Sequence, residues 1–284
     1  MAGVLFDGIA YGSLLFIASL GLSVTMGLMN FVNLAHGAFA MAGGYVAVVA
    51  MTRLGVPFLA ALPLAFAATA LAGAVLERTL YRRLYGANHL DQVLFSIGLT
   101  FMAIAGATWI FGPGQQPVRL PEFLRGQWNV LGVDLGVYRL FLVAVVAALT
   151  GILAFLVERT RFGAQVRAAV DDARVARGQG IDVDRVFSVA FALGSGLAGL
   201  GGALGINVLG LDPTFPLKFM VFFLLVVVVG GAGNVAGTLA AAILLGILDV
   251  AGKYYVPAAG AFVIYAAMVL LLIAFPRGVF ARRR

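Results

Sequence analysis

Apolar runs of about twenty residues, separated by short polar or basic stretches, recur along the whole chain. A run of that length spans the roughly 30 Å hydrocarbon core of a bilayer as an α-helix. The predicted spans are Val4–Met29, Phe31–Met51, Pro57–Leu76, Val93–Phe111, Leu140–Val157, Val186–Ile206, Phe219–Gly230, Val235–Val250 and Ala258–Phe275. The expected fold is therefore all-α, a polytopic integral membrane helical bundle of about nine spans, within a range of roughly eight to ten. Nine spans consume roughly 180 residues, which leaves one transmembrane domain over residues 1–284 and no sizeable soluble domain. The seventh run is short, and the segment GGAGN at 230–234 separates it from the eighth.

Composition excludes most alternatives. The chain is 62% hydrophobic and only 11% charged, where soluble domains carry roughly 25% charged residues. Cysteine is absent, so no disulfide, thiolate metal site or cysteine nucleophile is available. Two histidines, His36 and His89, are too few for a multi-histidine metal site, and no cofactor is expected in this chain. The net charge of +7 does not point to nucleic acid, because the basic residues sit in short loops between apolar runs.

Those loops also predict orientation. Arg78, Arg82 and Arg83 follow the third span; Arg159, Arg161, Arg167, Arg174, Arg177 and Arg185 separate the fifth from the sixth; Arg277, Arg282, Arg283 and Arg284 end the sequence. With nine spans these share one side, which the positive-inside rule makes cytoplasmic. Arg53, Arg119, Arg125, Arg139, Lys218 and Lys253 fall on the other side. The N-terminus is expected outside and the C-terminus in the cytoplasm. The first run lacks a basic n-region and a cleavage site and reads as a retained span. The loop 112–138, with Pro113, Pro117 and Pro121 flanked by Trp109, Trp128 and Tyr138, is expected outside as a connector or as a docking surface for an external partner.

Polar residues inside apolar runs mark candidate chemistry. Asn30, Asn33 and His36 lie in LMNFVNLAHGAFAMAGGYV at 28–46. Asn33, His36 and Gly37 fall at i, i+3 and i+4, a stripe that lines a pathway or forms a tight helix seam. Asn234, followed by Gly237, loosely repeats Asn33 and Gly37, as paired interrupted helices around a central site do. Asp249 is either an intramembrane acid of a path or the partner of Lys253 at i+4. The sixth span carries rows of small residues, Gly194, Ala198, Gly202 and Ser195, Gly199, Ala203, which suit close helix packing.

The inner segment 158–186 is the second signal. Within it, Val166, Ala169, Val170 and Ala173 follow helical spacing, while Arg167, Asp171 and Arg174 share another face. Gly178 and Gly180 end the predicted helix, and Asp182 or Asp184 caps the next. A short amphipathic helix with small apolar residues suits a groove on a partner or the membrane surface; the scarcity of large anchors weakens the second reading. No GxxxxGK[ST] occurs, so the chain has no P-loop of its own.

Three blocks carry a resemblance: NLAHGAF at 33–39, VRAAVDDARVARGQGIDVDRV at 166–186, and LDPTFPLKFMVFFLLVVVVGGAGNVAGTLAAAILLGILD at 211–249. In order and spacing, with the pairs Glu77-Arg78 and Tyr81-Arg82, the chain resembles the permease subunits of branched-chain (hydrophobic) amino acid ABC transporters over nearly its whole length. The resemblance implies a multi-pass protein of a bacterial or archaeal cytoplasmic membrane, working as a transport subunit and not as an enzyme. It also implies partners: a second homologous permease, two P-loop ATPases carrying ATP and Mg, and an external (periplasmic) solute-binding protein. By that analogy Asn33, His36, Gly37, Asn234 and Asp249 are translocation-path candidates, none of them catalytic. Val166, Arg167, Ala169, Val170, Asp171, Ala173, Arg174 and Gly180 then form the ATPase-coupling segment. Arg83 in place of a frequent proline, Gly237-Thr238 in place of Gly-Ala, and Ala281 in place of a glycine depart from the pattern. Related permeases carry urea or short amides, which are alternative substrates; a stand-alone secondary transporter using Asp249 and His36 is the rival class.

Overall fold

The computed structural model describes residues 1–29, 31–118, 120–130, 132–258 and 260–274. Asn30, Arg119, Ala281, the basic residues from Arg277 to Arg284 and the end of the ninth run at Phe275 lie outside them. The described residues form eleven α-helices: α1 (Ala2–Met29), α2 (His36–Thr52), α3 (Phe58–Thr79), α4 (His89–Phe111), α5 (Val137–Arg159), α6 (Arg161–Asp171), α7 (Ala173–Gly178), α8 (Val183–Leu209), α9 (Phe215–Gly230), α10 (Val235–Tyr255) and α11 (Gly260–Ala274). Six of these, α1, α3, α4, α5, α8 and α10, are long and apolar enough to cross a membrane. The apolar helices α2 and α9 are shorter; at 1.5 Å per residue, the 16 residues of α9 reach only roughly 24 Å.

Two helices make the core. In their apolar windows, 78% of α1 and 83% of α8 are buried, against 17% in α4 and 11% in α5. Lipid tails are as apolar as leucine, so hydrophobicity cannot select which helices meet; close backbone approach does. The small rows of α8 serve that end. Gly194 abuts Gly21 of α1, Gly199 meets Gly43 of α2 and Thr69 of α3, and Gly202 lies on the Ala40 carbonyl of α2. Along the other side of α1, Gly8 and Gly12 fit against Ile247 and Ala242 of α10. The packing reading of the sixth run is thus what the fold uses.

Four expectations are corrected. The second run does not begin as a helix at Phe31: Phe31–Ala35 is non-helical, and α2 starts at His36. Its cause is local, since the Asn33 side chain accepts the Ala35 N–H at 3.1 Å and forms an Asx turn in place of a helical bond. The amphipathic segment 158–186 is two helices before α8, not one. Asp172 breaks it, accepting the N–H groups of Arg174 and Val175 and capping α7. The loop 112–138 contains an antiparallel hairpin, β1 (Gln127–Val130) with β2 (Val133–Gly136), pairing Trp128 with Leu135. An otherwise all-α chain therefore carries a small β element, because the pattern QWNV-VDLG alternates with period two beside three prolines. The helices of the fourth, fifth and seventh runs, α4, α5 and α9, also begin earlier than those runs, at His89, Val137 and Phe215.

Candidate functional site

The first helix break, Phe31–Ala35, leaves backbone groups without helical partners inside the protein, and side chains from other helices take them. Ser96 Oγ of α4 accepts the Leu34 N–H at 3.1 Å, and Thr100 Oγ1 donates to the Leu34 carbonyl at 3.5 Å. Irregular backbone at membrane depth is tolerated where protein satisfies it in this way. Tyr81, in the 3₁₀ turn Tyr81–Leu84 after α3, donates its hydroxyl to Asn33 Oδ1 at 3.0 Å. Asn33 is 1% exposed, and its Nδ2 has no hydrogen-bond partner among the described residues.

His36, equally buried, has its Nε2 2.8 Å from the carbonyl of Ala18 in α1, so the ring donates there and must carry its proton on Nε2. Gly37 adjoins Pro216 of α9, whose Cα would stand 3.0 Å from any Cβ placed there. Asn33, His36 and Gly37 thus do not share one helical stripe. Asn33 sits in the break, His36 is tied to α1, and Gly37 is a packing point for α9.

The second break, residues 231–234, joins α9 to α10. Gly231 and Gly233 have φ of +84° and +78°, which favours glycine at both. Asn234 caps α10, its Oδ1 accepting the Gly237 N–H at 3.0 Å. The Gly233 N–H bonds to the Ser23 carbonyl of α1 at 2.9 Å, and the Ser23 and Thr238 hydroxyls are 2.9 Å apart, both fully buried. This pair gives the Thr238 hydroxyl a buried partner, and Ser23 is a residue that the sequence pattern did not single out. The likeness of the two breaks has a shared physical content: in each, an asparagine oxygen holds the backbone entering the next helix.

Asp249 of α10 is 2% exposed and paired with Lys253 Nζ at 2.6 Å, with the ammonium 5.7 Å above the Tyr11 ring of α1. Its Oδ1 has no partner among the described residues. Lys253→Met should therefore lower stability by about 1–3 kcal/mol, since it strands a buried carboxylate. Thermal melting in detergent reads this, and adding Asp249→Leu to that variant should recover most of the loss.

At the other end of α1, the pair α6–α7 does not present its apolar face outward. Ala169 and Ala176 are buried with Leu28 of α1 and Val183, Val186 and Phe187 of α8, and Val166, Val170 and Ala173 pack against this cluster. Most apolar residues of the segment therefore pack on the chain's own helices, which corrects the picture of a free amphipathic face. Arg167 donates to the Val157 carbonyl of α5 and staples α6 to it. Arg174, Val175 and Gly180 are exposed, as is Asp171, and Val175 is 55% exposed despite being apolar. Asp182 caps α8 through the Arg185 N–H at 3.0 Å.

Beside this pair lies a buried ionic cluster that sequence reasoning noted only as part of a motif. Glu77, at the end of α3, is 0% exposed. Its carboxylate accepts from Ser188 Oγ of α8 at 2.5 Å, from the Tyr85 hydroxyl at 2.7 Å and from the Arg82 guanidinium at 3.4 Å. Arg82 also donates to Ser188 Oγ at 2.8 Å. Its guanidinium loses some hydration by burial, yet Glu77 outweighs that and holds it more firmly protonated than usual. A carboxylate closing an apolar run and followed by arginines was the available sequence signal. In the α8–α9 turn, Asp212 accepts from the Thr214 N–H at 2.8 Å and from Lys218. Burial pushes its carboxyl up, but Lys218 and Thr214 together hold it below the usual range. Among the described residues no three His, Asp or Glu side chains gather into a metal site.

The sequence model described as "Branched-chain amino acid transport system / permease component" matches residues 4–273. BraD, a high-affinity branched-chain amino acid transport system permease protein of Pseudomonas aeruginosa, is 27% identical over 296 residues, covering 98% of this chain and 95% of that protein. LivH, the permease protein of the same description from Escherichia coli, is 25% identical over 299 residues, covering 98% and 94%. LivH of Salmonella typhimurium is also 25% identical, over 297 residues with the same coverage. No solved structure gives a significant match. The family match runs from α1 into α11, through both helix breaks and the α6–α7 pair, and the chain belongs to the branched-chain amino acid transport permease family.

Proposed function

We propose that this chain is the membrane-spanning permease subunit of an ATP-driven importer of branched-chain or hydrophobic amino acids. The observation that carries the reading is the family match along 4–273, joined to relatives named as branched-chain amino acid permeases that align over nearly their whole length. In this reading the chain crosses the cytoplasmic membrane with nine spans, using α2, α9 and α11 besides the six longer helices. The N-terminus faces outward and the arginine-bearing α6–α7 pair faces the cytoplasm. A second homologous permease completes the path, an external solute-binding protein delivers substrate, and two P-loop ATPases supply ATP chemistry with Mg. The permease itself performs no reaction. It switches between outward and inward access, a two-state equilibrium biased by ligands at both ends.

The two helix breaks, with Asn33, His36, Gly37 and Asn234, border the path in this reading, and Asp249 lies toward its outer end. Support comes from the irregular backbone at Phe31–Ala35 and residues 231–234, held by side chains or backbone of other helices, since paired helix interruptions border the central site in many transporters. The direct test is uptake in proteoliposomes holding the assembled complex and its binding protein, offered labelled leucine, isoleucine and valine beside urea and acetamide. ATP-dependent accumulation of the three aliphatic amino acids and exclusion of the other two is expected. Uptake of urea or acetamide alone would sink the substrate reading, and collapse by an uncoupler at constant ATP would sink the importer reading.

The ATPase is proposed to seat on the exposed side of α6–α7, at Asp171, Arg174, Val175 and Gly180, with Val166, Arg167, Ala169, Val170 and Ala173 holding that surface in shape. Val175→Glu places a charge where a small apolar knob enters the partner. It should cut ATPase recovered with the purified permease by about tenfold or more, with permease yield unchanged. Quantitative copurification checks this.

A further inference from the structure

The contacts around the turn after α3 form a continuous connection between the inner pair and the first helix break. Tyr85 packs into the cluster made by α6, α7 and the start of α8, edge-on to Phe187 at 5.8 Å between ring centroids. On its other side, Tyr85 meets Phe31 of the break edge-on at 6.3 Å. Four residues earlier, Tyr81 is fully buried between Phe31, Phe95 and Phe191 and holds Asn33 through its hydroxyl. Glu77 fixes this turn to two bodies at once, accepting from Tyr85 within the turn and from Ser188 on α8.

We propose that the turn Tyr81–Tyr85, clamped by Glu77, is the lever that carries displacement of α6–α7 to the unwound Phe31–Ala35 segment. Glu77, Tyr81 and Tyr85 are positioning residues of this device and touch no substrate. The physical reason lies in stiffness. A buried carboxylate with its acceptor sites filled by three different donors resists deformation, because losing any donor leaves a desolvated charge short of a partner. The turn therefore moves with α8 and the inner pair as one unit. Asn33, bonded to Tyr81 and to the Ala35 N–H by the same oxygen, must follow or break a buried hydrogen bond.

The inference rests on the importer reading in one arm and is independent of it in the other. In the assembled complex, Tyr81→Phe and Tyr85→Phe each remove one hydroxyl while keeping the ring. Each should leave ATP hydrolysis within about twofold and lower labelled leucine transported per ATP by about three- to tenfold, the scale of one buried hydrogen bond biasing a two-state equilibrium. Tyr45→Phe, which removes a buried hydroxyl without a partner among the described residues, should leave the ratio unchanged. In the permease alone in nanodiscs, Tyr85→Phe should speed hydrogen exchange of the Leu34 and Ala35 amides by about three- to tenfold, although Tyr85 bonds neither. An unchanged transport-to-hydrolysis ratio overturns the lever, as does a proportional fall of uptake and hydrolysis, which marks mere loss of folded protein. If no ATPase assembles, the importer reading fails, and the exchange measurement alone decides the lever: unaltered Leu34 and Ala35 exchange overturns it.

Discussion

Gly202→Leu should leave almost no folded protein in the membrane. Gly202 of α8 lies directly on the Ala40 carbonyl of α2, so that even a methyl group would overlap backbone atoms of the neighbouring helix. A flexible side chain cannot give way here, because the obstruction is the main chain of Ala40. Ordinary overpacking costs about 1–3 kcal/mol through side-chain shifts, and a backbone clash at the centre of the bundle should exceed that. Moving α2 away would also disturb the His36 bond to Ala18 and the Gly37 contact with Pro216. The control is Gly98→Leu on the exposed face of α4, where nothing lies within 4 Å. Fluorescence-detected size exclusion of tagged variants should show a monodisperse peak for Gly98→Leu and aggregate for Gly202→Leu. A monodisperse Gly202→Leu protein of normal melting temperature would contradict the α2–α8 packing described here.

Glu77→Ala should cost about 3 kcal/mol, the low end of the range for breaking a buried ion pair, because Arg82 keeps 40% of its side chain in contact with solvent. The loss comes from what the carboxylate leaves behind. Ser188 and Tyr85 are buried or half-buried donors with no other acceptor described, and each unmade bond adds a desolvation cost. Glu77→Gln preserves volume and one acceptor oxygen and should lose about half as much. Urea or thermal unfolding in mild detergent, followed by protease sensitivity, separates the three proteins. Equal stability of Glu77→Ala and the parent chain would mean the cluster is solvated in solution.

Much of the architecture was legible from local pattern. Apolar runs announce membrane helices wherever they are long, and α3, α4 and α10 lie close to their expected spans. Small-residue rows announced the packing face of α8, since Gly194, Gly199 and Gly202 meet backbone or short side chains on α1, α2 and α3. The Asp249–Lys253 pair followed from i+4 spacing on one helix. What local pattern misread were the points where distant side chains compete with helical hydrogen bonds. Asn33 has the spacing of a helical stripe, yet an Asx turn and the hydroxyls of Ser96 and Thr100 stabilise an unwound segment instead. The α6–α7 segment has an amphipathic period, but periodicity says nothing of what covers the apolar face; Leu28 and Phe187 do.

The order of apolar and basic segments by itself determined a helical membrane protein, the position of its amphipathic segment, the interruption after the seventh run and the family likeness. Each of these depends on residues near one another in the chain, on hydropathy, helical period and loop charge. Only the tertiary structure decided that α1 and α8 form the core, that Ser23 closes the second break with Thr238, and that Glu77 joins α3 to α8. Those facts depend on hydrogen bonds and backbone contacts between residues as much as 215 positions apart, whose geometry no local period encodes.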